Sequence, residues 1–487
     1  MEKAILTFKD RVNWPVAAIQ IVSIMIIGLS VFLRNMGNLD EIWVFSYGKN
    51  LADGLLPYKD INVCTTPLAL SLLACAMNIF GYSLWTLRGL TFVSYSLLFL
   101  LGSYWLQRNS KSHLLGQLLY AGIFLSFYPI YLYEYNIVNC IFVMGLIFLE
   151  EKKSKSDLYP FMQGILIGCI FLTKQTTGLI SMVVYIIIFC LKKKKFKEGI
   201  ICLSGLSLVI SIFFLFLVSH NLMGPFVEYT VLGVGGFTKN FRANQILGTL
   251  IVHPSISLLL LGIGNLYLKL ISASLKRDKK ADCYLKENSL YYVIPLSVIF
   301  PLFDHTHFVL GLLPAIPASI VEIEYILSKG KKARGITIAL IISCIMLEIA
   351  AAPGYLFQSS EKSTIPYYKG IPISLEKEEK IADIKDYVET SRESGREVYI
   401  LDGAASLYFT PLNLYHKDYD MMFRGNIGAN KYEELIRDIC RPENIILIPD
   451  DEHINYQMPT GIKEVVVQNG MIDIGTLNHY RIYAFPQ

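Results

Sequence analysis

Long apolar runs broken by short polar segments fill most of the chain up to residue 353. A run of about 20 such residues crosses roughly 30 Å of hydrocarbon as a helix. A membrane barrel would instead alternate polarity in short segments, a pattern the chain lacks. The runs predict spans near residues 16–33, 85–106, 114–130, 137–149, 159–172, 177–191, 199–218, 250–271, 290–303, 308–327 and 336–351. Residues 67–80 are also apolar but short, and a crossing there would put Arg108 and Lys111 outside, so an interfacial helix is predicted instead.

From about Ser374 the pattern changes. Residues 376–390 place Ile381, Ile384, Tyr387 and Val388 on one helical face, and Gly395 ends the run. Strands are predicted at 398–401, 445–447, 465–467 and 480–485, with a helix near 432–440. Such alternation predicts a small α/β domain. The expected organisation is a membrane domain over 1–353, with a first outer loop at 34–84, followed by a second domain over 354–487.

Composition agrees with a polytopic α-helical membrane protein. Of 487 residues, 53% are hydrophobic and 17% charged, against roughly 25% charged in soluble domains. The net charge of +4 matters less than its distribution. Basic clusters at Lys3/Lys9/Arg11, Arg108/Lys111, Lys152/Lys153/Lys155, Lys192–Lys195, Lys276/Arg277 and Lys329–Arg334 fit cytoplasmic loops. About eleven spans with a cytoplasmic N-terminus, read as an uncleaved anchor, accommodate all of them. The C-terminal domain then lies outside the cytoplasm, in the cell membrane's multi-pass setting. The Lys- and Ile-rich composition points to a bacterium, and nothing in the charge pattern calls for a nucleic acid partner. The nine cysteines show no metal or disulfide spacing.

Candidate chemistry gathers at the predicted outer face. Asp40-Glu41 follows the first span, and a carboxylate there is suited to taking a proton from an acceptor hydroxyl. The pair is equally suited to opening a helix, with Asn38 or Asp40 as N-cap. Arg88, Lys174, Lys239, Arg242, His305 and His307 are cations able to face developing negative charge, or else interface anchors. Glu134 is a candidate for binding sugar hydroxyls or for pairing with a cation. Asp304 with His305 and His307 offers few ligands for a divalent metal, so no cofactor is firmly implied. Gly233-x-Gly235-Gly236 lacks the surroundings of a phosphate loop and is read as loop flexibility.

Asp40-Glu41, Tyr47, Gly54, Pro57-Tyr58-x-Asp60, Thr66-Pro67-Leu68, Phe80-Gly81 and Arg88 together resemble the first outer loop of GT-C membrane glycosyltransferases. The branch they resemble most contains protein O-mannosyltransferases and lipid A aminoarabinose transferases. Thr66 stands where that pattern has the first proline of Pro-Pro-Leu, and His307-Phe308 resembles a His-Tyr ahead of a later span. The resemblance covers roughly residues 30 to 95. It implies a GT-C-like bundle and inverting transfer of a hexose or pentose from a polyprenyl-phosphate donor at the outer face. The acceptor it implies is a lipid, a polysaccharide or a protein. By resemblance Asp40 is the general base with Glu41 its neighbour, Tyr58 is on the substrate side, Asp60 orients the acceptor or stabilises the loop, and Arg88 and Lys174 meet the donor phosphate. A lipophilic groove beside Asp40 is expected for the donor tail. The competing reading is a transporter or lipid-linked sugar flippase, which would place charges within spans.

Overall fold

A computed structural model describes residues 13–37, 39–127, 131–151, 156–191, 196–237, 255–275, 289–300, 305–328, scattered positions at 330–346, 360–455 and 457–486. Its membrane domain runs through α1 (Trp14–Phe32), α2 (Asp40–Ala52), α3 (Leu68–Phe80), α4 (Leu84–Asn109), α5 (His113–Ser126) and α6 (Tyr135–Glu151). It continues with α7 (Leu158–Thr173), α8 (Gln175–Leu191), α9 (Phe196–Ser219) and α10 (Ser255–Leu275). Next come α11 (His305–Leu312) and α12 (Ile316–Leu327), joined by a 3₁₀ turn at Leu313–Ala315 that carries Pro314. Among the described residues, α1, α4, α9 and the α11–α12 stretch are long and apolar enough to cross a membrane, and several shorter apolar helices accompany them.

Helices stand at the predicted spans with two exceptions. Residues 336–351 fall largely outside the described residues. The predicted span at 290–303 is instead broken into a π turn (Ser289–Val293), one short helical turn (Ile294–Leu296) and a 3₁₀ turn (Ser297–Ile299). Pro295 lies at the start of that helical turn and brings no N–H, and the chain turns extended at Phe300. Apolarity alone could not show this break.

Close helix packing in the bundle rests on glycine. A Cβ at Gly164 of α7 would overlap the Cys202 carbonyl of α9, and one at Gly205 of α9 would overlap the Phe161 carbonyl of α7. Small residues that let two backbones touch are a common device of membrane helix pairs. Gly164→Val is therefore expected to destabilise the protein by about 1–3 kcal/mol, read as a lower Tm in detergent. A Tm equal to wild type would show that α7 and α9 tolerate separation.

The second domain opens with a short antiparallel pair, β1 (Glu361–Lys362) and β2 (Pro372–Ile373), followed by α13 (Leu375–Glu393). A four-stranded sheet comprises β3 (Glu397–Ile400), β4 (Asn444–Pro449), β5 (Ile472–Leu477) and β6 (Tyr480–Ala484), in the order β3-β4-β6-β5. β3 and β4 are parallel, with Val398 opposite Ile445, and the other pairs are antiparallel. Ile381, Ile384 and Val388 of α13 are buried with Val398, Ile400 and Ile446 of the sheet, as the helical spacing predicts. β4 is buried along its whole length, whereas β5 is an exposed edge carrying a bulge before Gly475.

One strand prediction is corrected: residues 465–467 belong to α15 (Ile462–Gln468), which follows α14 (Tyr432–Ile439). Three consecutive valines favour a strand in isolation. Here Ile462 and Val466, four residues apart, bury one face, and Val467 is exposed, so helical periodicity governs.

Both halves of the first loop are bound to the second domain. Met36 N–H donates to the Pro372 carbonyl, Leu84 N–H to Tyr367 O and Trp85 Nε1 to Lys369 O. At the far end of α2, Lys417 Nζ donates to Tyr58 O (3.0 Å) and Lys59 O (2.9 Å), and Tyr415 O–H donates to Asn62 Oδ1 (2.5 Å). The glycine run expected to loosen a loop does the opposite. Cβ atoms at Gly233 and Gly236 would lie 2.8 and 2.7 Å from Gly425 backbone atoms, so those glycines permit close approach to the second domain.

Candidate active site

Arg34 ends the segment that leaves α1, and the following residues lead into α2, whose first residue is Asp40. Leu39 is the N-cap and no side chain caps the helix, so Asp40 opens α2 without capping it, and Asn38 lies outside the described residues. Asp40 is exposed on the wall of a cavity of about 880 Å³ between the first loop and the second domain. Arg34, Lys377, Lys380, Asp402, His453 and His479 share that wall.

Glu41 also lines this cavity but is buried and committed to ion pairs. It is 3% exposed and accepts from Arg88 Nε at 3.0 Å, Arg34 Nη2 at 3.3 Å and Gly37 N–H at 2.7 Å. Burial alone would raise its pKa, but Arg34, Arg88 and the Gly37 N–H outweigh it and hold the carboxyl down at about 2. Such a group stays ionised and is a poor proton acceptor. Its position assigns it to holding the loop, as the neighbour of Asp40.

Arg88 is likewise committed. It is wholly buried, and beyond Glu41 it donates to Arg34 O at 2.8 Å and Asn35 O at 3.3 Å. Its donors are thus engaged by the loop, and it is not among the residues that line the cavity. Tyr58, also fully buried, donates to Thr65 O at 3.0 Å and packs edge-on against Phe226. Its φ of +70° is unusual for a bulky residue, and the bonds from Tyr58 N–H to Ile61 O and from Lys417 to Tyr58 O hold it there. Asp60 accepts from Leu56 N–H at 2.9 Å and closes the same turn. These two residues shape the loop.

A second group of candidates converges from three separate segments. Glu134, buried ahead of α6, accepts from Asn136 Nδ2 at 2.7 Å. Lys174, 3% exposed in the tight link between α7 and α8, donates to Asn136 Oδ1 at 3.3 Å and to the Val298 carbonyl. Its ammonium also stands 5.1 Å from the centre of the Tyr135 ring. His307 on α11 bonds through Nε2 to the Tyr135 hydroxyl at 3.0 Å. Burial raises Glu134, His307 and the Asn136 bond lower it, Asp40 raises it and Lys174 lowers it, leaving the carboxyl at about 7. Glu134 is therefore close enough to Asp40, Lys174 and His307 to feel their charges. The His305 side chain, Asp304, Lys239 and Arg242 lie outside the described residues, and so does any metal set built on Asp304. Among the described residues no group of three or more His, Cys, Asp or Glu is placed to hold a metal ion.

The most apolar groove near α2 does not lie at Asp40. The cavity at Asp40 mixes charged and polar groups with the apolar side chains of Met36, Leu39, Leu132, Ile381 and Leu407. An apolar groove of about 480 Å³ lies instead at the other end of α2, between Leu51–Pro57, the start of α3, and Phe213 and Phe216 of α9. About 18 Å of helix separates the two.

Lys377 and Lys380 of α13 were not singled out from the sequence. The available signal was their position: cations in the first turns of a helix oppose its dipole, so lysine there needs another reason.

No protein-family model matches the sequence, and no curated protein matches it. Among solved structures, the chain is similar to ArnT from Cupriavidus metallidurans bound to undecaprenyl phosphate, with a TM-score of 0.56 and 10% identity over 98% of this chain and 100% of that one. The same protein in the apo state gives a TM-score of 0.59 and 10% identity over 97% and 99% of the two chains. At that identity the likeness establishes the fold, and the chain has the GT-C membrane fold with its small C-terminal sheet domain.

Proposed function

We propose that this chain transfers a sugar from a polyprenyl-phosphate donor to an acceptor held in the cavity between its first loop and its second domain. The observation that carries the reading is that, in a GT-C fold, the exposed carboxylate of Asp40 lines the cavity within electrostatic reach of Glu134, which Asn136 joins to Lys174. The solved protein of that fold bound to undecaprenyl phosphate supports the choice of donor.

In the proposed reaction Asp40 takes the proton of an acceptor hydroxyl as its oxygen attacks the anomeric carbon. The carbon–oxygen bond to the phosphate breaks with its electron pair, and the prenyl phosphate leaves from the opposite face, inverting the centre. Lys174 supplies positive charge toward the leaving phosphate, and Glu134 binds the sugar's hydroxyls. The donor's tail would occupy the apolar groove at the far end of α2. The outer face of a bacterial cytoplasmic membrane is the expected setting.

The test supplies purified protein with polyprenyl phosphates carrying labelled hexoses or pentoses, together with envelope fractions as acceptors. Loss of label from one donor into an acceptor is the expected result. No donor consumed under any acceptor would overturn the reading.

Glu134 provides a separate check. With its carboxyl at about 7, the ionised form grows as pH rises through that value, so the transfer rate is expected to rise there too. Glu134→Gln should flatten the step, and a variant profile identical to wild type would remove Glu134 from the reaction.

A further inference from the structure

The approach to α2 is held by its carbonyls in sequence. Arg88 takes those of Arg34 and Asn35, and Lys377 Nζ takes those of Met36 and Gly37, each at 2.8 Å. Four successive acceptors are thus fixed by two cations, one from the membrane bundle and one from the second domain. Carbonyl groups bonded to a cation are held more firmly than by neutral donors.

Folding of α13 does not call for Lys377. The helix buries Ile381, Ile384 and Val388, and its first turn favours the acids Glu376 and Glu378. A lysine beside them opposes the dipole and loses side-chain freedom when its head is fixed. What it gains is the pair of loop carbonyls three and four residues before Asp40.

We infer that Lys377 is a positioning residue for the transfer reaction: through Met36 and Gly37 it sets the entry of α2 and so aims the Asp40 carboxylate into the cavity. This rests on the transferase reading above. It makes the second domain part of the catalytic geometry, since a misplacement of about 1 Å can cost a reaction roughly 100-fold.

Charged groups facing Lys377 include Glu41 from α2, Arg88 from α4 and Lys380 from its own helix. Burial lowers its pKa most, Glu41 opposes that, and Lys380 and Arg88 add to it, bringing the ammonium to about 8. Above that pH the bonds to the loop lose their charge assistance, and an alkaline fall in rate follows.

The experiment compares wild type, Lys377→Met and Lys377→Arg by kcat, donor KM and pH profile. Lys377→Met is expected to lower kcat by about 10- to 100-fold with donor KM unchanged. Lys377→Arg should restore most of the rate and move the alkaline limb upward, because guanidinium stays charged. Wild-type kcat in Lys377→Met, or an unmoved alkaline limb in Lys377→Arg, would overturn the inference, and the arginine variant decides if the methionine one fails to fold. A second arm needs no transfer. In Asp40→Cys protein, labelling by a membrane-impermeant maleimide should change severalfold when Lys377→Met is added. Equal labelling rates would also overturn the inference, whereas altered labelling without transfer in wild type would reject the transferase reading alone.

Discussion

Asp40→Asn is expected to lower the transfer rate by about 10²- to 10⁴-fold, the range a general base contributes, with donor binding retained. Asparagine keeps the shape of aspartate but cannot accept the proton. The backbone of α2 does not depend on the carboxylate for capping, since Leu39 is the N-cap and no side chain caps the helix. The fold should therefore survive, and the loss should appear in kcat. Initial rates with a labelled donor, measured beside retention of that donor by the protein, separate the two effects. Full activity in Asp40→Asn would move the base elsewhere, and Glu134, with its carboxyl at about 7, is the next group to examine.

The second large effect concerns stability. Arg88→Ala is expected to cost about 3–5 kcal/mol, because removing one partner of a buried pair leaves the other charge uncompensated. Glu41 would keep Arg34 at 3.3 Å, but the carbonyls of Arg34 and Asn35 would also lose their donor. Thermal unfolding in detergent should show a large fall in Tm, and much of it should return in the paired variant Glu41→Gln/Arg88→Met. A Tm no lower than that of an exposed-lysine variant such as Lys59→Ala would show that the pair contributes little. The sign with pH follows from the depressed carboxyl. The contribution of Glu41 is complete above its ordinary value of 4.5 and is lost as pH falls toward about 2.

Much of this molecule was legible in its residues. Apolar runs located α1, α3, α4 and α9, because a helix in hydrocarbon needs only length and polarity to be recognised. Periodicity of Ile381, Ile384 and Val388 located α13 for the same kind of reason. The break at Pro295 was hidden by the apolar residues on both sides of it. β5 escaped because Gly475 and its exposed isoleucines give no buried alternation.

The site was legible in part. Asp40-Glu41 marks the loop, but sequence gives adjacent carboxylates no difference. Only the fold leaves one exposed on the cavity wall and commits the other to Arg34 and Arg88. Arg88 looks like a phosphate ligand until its donors are found occupied by groups 47 to 54 residues away. Lys377 reaches across more than 300 positions to Met36, beyond any local pattern.

The bonds of Lys417 to the Tyr58–Lys59 backbone and of Pro372 to Met36 have an evolutionary corollary. A chimaera that grafts a foreign C-terminal module onto this bundle would arrive without matching partners at either end of α2. Recombination should succeed only where the donor gene carries its own versions of both stretches, so lineages ought to inherit them as one block.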